Sequence, residues 1–218
     1  MACVQAVIFD VDGLMIDSER IFFRLIQQIL AERGIAFGNE HFTRMLGLDY
    51  PQTADYVIAE AGISDRPEAF NHLYLDRFDA QLETHLDPNP GLIPLVSELR
   101  QRRVPLGIAS NSPSEYCQRV LKAIGLVGAF QVIAGREQVE QAKPAPDVYL
   151  RAARLLGRAP EACLAVEDSP VGVQSALRAG MRVAVINPWV DVPETSKASR
   201  KYPSLAGLHE HLSDYLCP

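Results

Sequence analysis

Short, nearly continuous apolar runs alternate along this chain with longer stretches in which apolar residues recur every three or four positions. Residues 5–10, Gln5-Ala6-Val7-Ile8-Phe9-Asp10, form such a run. It is rich in β-branched residues, as expected of a strand buried on both faces of a parallel sheet. Residues 104–109, 163–166 and 182–186 share that character, and 130–134 make a fifth candidate. Between the runs, 92–103, 114–124, 147–156 and 171–179 carry helical spacing, several entered through proline and closed by glycine. This alternation predicts an α/β fold, a doubly wound and mostly parallel sheet with helices on both faces.

The first crossover breaks the rhythm. From residue 18 to 87 there is no strand-like run, only helix-period segments at 19–33, 40–45, 52–60 and 68–86. Four helices exceed what one crossover needs, so the stretch reads as an inserted α-helical cap domain. It is expected over 15–90, leaving 1–14 and 91–218 as the catalytic core. The hinges fall at 14–16 and 87–91, where Pro88 and Pro90 interrupt helix.

Composition narrows the function. The chain has 218 residues, 48% of them hydrophobic, enough for a sizeable core. Its formal charge is -6, and no basic block or basic face interleaved with aromatic residues appears, which argues against nucleic acid as a partner. Phosphorylated substrates stay open, because a metal ion and one or two local cations can supply positive charge where an anion binds. Cys3, Cys117, Cys163 and Cys217 show no Cys-x-x-Cys pair and none of the dense spacing of a disulfide framework, so a reduced, cytoplasmic setting is expected. Cys163 opens an apolar run and reads as a small buried hydrophobe. The run at 4–9 follows no positive residue and is cut short by Asp10 and Asp12, so it is read as a strand and not as a signal peptide or membrane span. Neither a membrane nor a protein partner is implied.

Candidate chemistry sits where the apolar runs end, which is where open α/β sheets bind ligands. Asp10 and Asp12 flank one residue, so in extended chain both carboxylates face one crevice, and Gly13 lets the chain turn beside a ligand. Two close carboxylates repel, and a divalent cation is the common remedy. Magnesium fits best, since it takes one or two carboxylates plus phosphate oxygens and keeps several waters. Glu167-Asp168 ends another run and offers a second acid pair, with Ser169-Pro170 able to cap the helix that follows. Ser110-Asn111-Ser112 precedes a helix beginning near Pro113, where backbone N–H groups and a hydroxyl form an anion site. Lys143 stands before Pro144 in a loop stiffened by two prolines, a fixed ammonium suited to carboxylates and phosphate. Acid, hydroxyl, lysine and acid together describe phosphoryl transfer. One aspartate attacks phosphorus, the other serves as general acid and base, and the cations and N–H groups stabilise the equatorial oxygens. Residue chemistry alone leaves open which aspartate attacks.

These motifs resemble the haloacid dehalogenase superfamily, in its β-phosphoglucomutase-like phosphatase branch with a helical cap and a Rossmann-like core. The resemblance spans Ile8-Phe9-Asp10-Val11-Asp12-Gly13, Asp17-Ser18-Glu19, Ile108 to Ser112, Lys143 to Asp147 and Val166 to Gly172. It implies Asp10 as nucleophile and metal ligand, and Asp12 as the acid and base whose backbone carbonyl also binds the metal. Ser110 and the Asn111 N–H would hold the phosphoryl group, Lys143 would bridge it to Asp10, and Asp168 would bind magnesium, with Glu167 as a ligand or just behind one. An aspartate at 12, absent from the dehalogenase members, argues for phosphate esters over carbon–halogen bonds. Mutase members carry a histidine and an arginine in the cap, where this chain has Phe22 and Tyr50. The expected function is therefore a phosphatase acting on a small phosphorylated metabolite, a sugar or polyol phosphate. The alternatives are a sugar phosphomutase and a non-catalytic phosphometabolite-binding protein. Glu19, Arg20, Arg44, Asp49, Tyr50, His72 and Arg77 are the cap residues offered as substrate contacts, and Trp189 is read as packing.

Overall fold

Six parallel strands form one sheet: β1 (Ala6–Phe9), β2 (Leu106–Ala109), β3 (Val132–Ala134), β4 (Cys163–Glu167), β5 (Arg182–Val185) and β6 (Ser199–Lys201), in the order β3-β2-β1-β4-β5-β6. The computed structural model describes residues 3–45, 48, 50–82, 86–186 and 199–216. Trp189, Asp49 and Cys217 lie outside them. Parallel neighbours need crossovers, and helices lie between the strands from β1 to β5: α5 (Leu92–Gln101), α6 (Ser114–Ala123), α7 (Asp147–Leu155) and α8 (Pro170–Arg178); α9 (Leu205–Glu210) follows β6.

The continuous apolar character of β1 follows from its place in the middle. Ala6 and Ile8 join Cys163, Ala165, Val183 and Val185 in a cluster with α7 and α8. Val7 and Phe9 fall on the opposite face by the strand period of two, and they are buried as well. β6 is absent from the expected strands, because Ser199-Arg200-Lys201 carries no apolar run. It pairs only with β5, and its basic residues suit an edge strand.

The chain divides into two compact units, Met1–Ile16 with Leu86–Pro218, and Asp17–His85. These bounds fall a few residues from those expected because Leu14, Met15 and Ile16 are buried in the core unit. The Asn89 side chain donates to the Gly13 and Leu14 carbonyls (2.8 and 3.0 Å), and its N–H donates to the Met15 carbonyl at 2.7 Å. Asn89 thereby fastens the segment after β1.

The second unit contains α1 (Ser18–Ala31), α2 (Glu40–Met45), α3 (Tyr50–Ala61) and α4 (Pro67–Leu82). Asp17 caps α1 by accepting from the Arg20 N–H at 3.0 Å. Phe23, Ile26 and Leu30 of α1, Ala54 and Val57 of α3, and Phe70 and Tyr74 of α4 form its apolar centre. The i, i+4 spacing of Phe70, Tyr74, Phe78 and Leu82 puts one stripe of α4 inward, and all four are buried.

Cysteine usage requires one correction. Cys3 is disulfide-bonded, whereas Cys117 and Cys163 are free and buried. Val4 bridges Leu216, and its N–H donates to the Tyr215 carbonyl at 2.9 Å, so residues near the two chain ends meet in the fold. Sequence spacing carries no trace of such an encounter. Among the described residues no helix is long and apolar enough to cross a membrane.

Candidate active site

The sheet register builds the site. Phe9 lies opposite Val166, so one residue further on Asp10 and Glu167 emerge side by side from β1 and β4. The topology reverses at β1, whose partners β2 and β4 lead to opposite edges, and this opens a crevice at the carboxyl ends. Gly13, at φ +81, turns the chain beside it, and a Cβ there would overlap the Asp168 carboxylate.

Lys143 stands at the centre. Its Nζ lies 2.5 Å from Asp10 Oδ1 and 2.6 Å from Glu167 Oε1, and all three residues are buried. Burial alone would lower the ammonium pKa, but the Asp10 and Glu167 carboxylates more than offset that and raise it. The lysine is therefore a fixed positive charge. Asn111 holds its backbone, accepting from the Lys143 N–H at 2.8 Å and donating to the Lys143 carbonyl at 3.4 Å. The Lys143–Pro144 peptide is cis.

Glu167 has a crowded set of partners. Oε1 also accepts from the Tyr149 hydroxyl at 2.7 Å, and Oε2 accepts from the Ser169 hydroxyl and the Asp168 N–H, both at 3.2 Å. Gly172 makes room for it, since a Cβ at that position would overlap the carboxylate. The Tyr149 ring lies 4.9 Å from the Lys143 ammonium, adding a cation–π contact. Ser169 caps α8 by accepting from the Gly172 N–H at 3.1 Å, so the cap does not need Asp168.

The two aspartates of β1 have different company. Asp12 accepts from the Ser112 hydroxyl and from the Tyr116 hydroxyl, each at 2.7 Å, one on each carboxylate oxygen. Ser110 is buried, and its Oγ accepts from the Ser112 N–H at 3.0 Å. Burial pushes the Asp10 carboxyl well above the usual range. Lys143 opposes this, while Glu167, Asp168 and Asp12 add to it. Asp168 is pushed up to about 7 by burial and then by the Glu167 charge.

These residues suit a hard divalent cation. Asp10, Glu167 and Asp168 each offer an oxygen, and those atoms lie within 4.8 Å of one another. Lys143 brings one positive charge to four carboxylates, Asp12 included, so a cation would offset what the protein leaves uncompensated.

The structure brings together residues that the sequence singles out: Lys143 binds Asp10 and Glu167, Asn111 holds the Lys143 backbone, and Ser110 lies beside Ser112, a partner of Asp12. The sequence gives no sign of Tyr116 and Tyr149, which contact Asp12 and Glu167. Tyr149 falls on the buried face of α7 with Val148, Ala152 and Ala153, so its spacing reads as core and its hydroxyl gives no signal. Tyr116 sits in the first turn of α6, where no pattern marks it. In the second unit, Phe22 packs on Phe78 with centroids 4.4 Å apart and edge-on to Tyr74. Arg20 pairs with Asp17, Arg77 with Glu32 and, more loosely, Arg44 with Glu60. His72 is exposed.

Known proteins are similar to this chain along most of its length. The family model described as haloacid dehalogenase-like hydrolase matches residues 7–186. Hexitol phosphatase A of Escherichia coli is 31% identical over 197 residues, covering 90% of this chain and 89% of that protein. β-Phosphoglucomutase of Bacillus subtilis is 26% identical over 185 residues, covering 82% and 81%. The crystal structure of a HAD family hydrolase from Deinococcus radiodurans R1, with bound phosphate and sodium, superposes with a TM-score of 0.78 at 28% identity, over the whole of both chains. The chain belongs to the haloacid dehalogenase-like hydrolase family. By class it is a phosphoric monoester hydrolase.

Proposed function

We propose that this protein is a magnesium-dependent phosphatase that hydrolyses a small phosphorylated metabolite, a sugar or polyol phosphate, through an aspartyl-phosphate on Asp10. One observation carries the reading: the two aspartates have unlike partners. Asp10 is bound to an ammonium, which works against burial to favour the charged, nucleophilic carboxylate, whereas Asp12 accepts from two neutral hydroxyls, the setting proposed for the group that takes up and gives back a proton.

In the first step an Asp10 oxygen bonds to phosphorus, the bond from phosphorus to the ester oxygen breaks, and a proton on Asp12 passes to the departing alcohol. In the second, water gives a proton to Asp12 and bonds to phosphorus. The bond from phosphorus to Asp10 then breaks, returning the carboxylate and inorganic phosphate. Ser110, the Asn111 N–H and Lys143 hold the equatorial oxygens. Asp10, Asp168 and the Asp12 carbonyl would hold magnesium, and the ion would supply positive charge against the phosphoryl oxygens. Glu167 is assigned to anchoring Lys143, since its two oxygens already accept from Lys143, Tyr149, Ser169 and the Asp168 N–H.

The polyol choice is supported by the 31% identity to hexitol phosphatase A, and water as acceptor by Phe22, an aromatic packing residue where mutases carry a histidine. Rapid acid quench with substrate labelled at phosphorus tests the chemistry: wild type should trap label on the protein and Asp10→Asn should trap none. Label on Asp10→Asn, conversion of a hexose 1-phosphate to its 6-phosphate without free phosphate, or no turnover of any sugar, polyol or glycerol phosphate would each overturn the proposal.

A further inference from the structure

Both hydroxyls that hold Asp12 come from one place. Ser112, two residues before α6, and Tyr116, in its first turn, are four residues apart, so one short segment presents two donors to the two carboxylate oxygens, each at 2.7 Å. That turn is rigidly seated, because Cys117 and Val120, which follow it, are completely buried. Phenol and alcohol bring no charge to Asp12. They bond one lone pair on each oxygen, fix the plane of the carboxylate and leave the remaining lone pairs for a proton. A bare structural anchor would need neither two donors nor donors spread over both oxygens.

We propose that Tyr116, assisted by Ser112, is a positioning residue that commits this chain to phosphate esters of aliphatic alcohols. Such alcohols leave as poor alkoxides unless they are protonated as the bond to phosphorus breaks. Their hydrolysis therefore depends on an acid held at the correct angle. An aryl ester such as p-nitrophenyl phosphate releases a stable phenolate and needs no proton. The inference rests on the acid role of Asp12 proposed above.

The test compares kcat/KM, which reports the transfer of phosphorus to Asp10, for glycerol phosphate and p-nitrophenyl phosphate with magnesium present. Tyr116→Phe keeps the ring and deletes the donor. It should lower kcat/KM for glycerol phosphate about tenfold and for p-nitrophenyl phosphate by less than about threefold, the size expected for one hydrogen bond to a charged group. Ser112→Ala should shift the ratio in the same direction. Asp12→Asn should show the same selectivity at about 10²-fold or more. Thermal unfolding midpoints report whether each variant is folded, and Ser112→Ala decides the matter if Tyr116→Phe is not. Selective loss in Asp12→Asn with equal losses on both substrates in Tyr116→Phe and Ser112→Ala would overturn the positioning role alone. Equal losses on both substrates in Asp12→Asn would overturn the acid role and the inference with it.

Discussion

The two units of this protein treat charge in opposite ways. In the core unit Asp10, Lys143 and Glu167 are at most 7% exposed and linked in one network, Lys143 binding both carboxylates and Glu167 accepting from Tyr149 as well. In the helical unit the ion pairs stand nearer the surface, with side chains 32% and 58% exposed for Arg77 and Glu32 and 53% and 50% for Arg20 and Asp17. What that unit buries is mainly aromatic and aliphatic, as with Phe70, Tyr74 and Phe78 on α4. Buried charge is retained where chemistry needs it, at a cost in desolvation that only a full set of partners offsets. The helical unit has no such demand and coheres by apolar contact.

That contrast predicts a ranking of effects. Lys143→Ala should act most strongly, since it leaves Asp10 and Glu167 buried without their cation. Turnover should fall about 10²–10³-fold, and urea unfolding should show a loss of about 3–5 kcal/mol. Within the helical unit the apolar centre should matter and the charges should not. Phe70→Ala, at a fully buried position, should cost about 3–5 kcal/mol in the unfolding of that unit. Gly172→Ala should rank next at about 1–3 kcal/mol, because the new methyl must displace the Glu167 carboxylate. Turnover should fall with it as Lys143 loses its anchor.

Arg77→Gln should have the smallest effect. The hydrogen bond from Arg77 holds the Glu32 carboxyl below its ordinary range. A depressed carboxyl contributes stability that is complete above its unfolded value, about 4.3, and that fades as pH falls through the lower folded-state value. At neutral pH the unfolding midpoint should barely move, and the variant should differ from wild type only in losing that weak acid-side slope. If Arg77→Gln rivalled Lys143→Ala at pH 7, the contrast between the units would fail.

Much of the core could be read from residues in order. The strands β1, β2, β4 and β5 are apolar runs because both faces of the sheet are covered, and the strand-end acids stand out because they terminate those runs. β6 and the Cys3 disulfide could not be read. A polar three-residue edge strand has no periodicity to detect, and a disulfide depends on residues that meet only after folding.

Sequence by itself determined the enzyme class, a phosphoric monoester hydrolase, and singled out acids, a hydroxyl, an amide and a lysine as its candidate chemistry, since these are local facts tied to short-range patterns. Only the tertiary structure decided who holds whom. Asp10 and Lys143 are 133 residues apart in the chain and Asp12 and Tyr116 are 104 apart, and no spacing rule reaches so far. Register brought Asp10 beside Glu167, and the seat of α6 brought two hydroxyls onto Asp12. Two aspartates that look equivalent in the chain thus acquire different partners, because a carboxylate's chemistry is set by the groups that surround it in space.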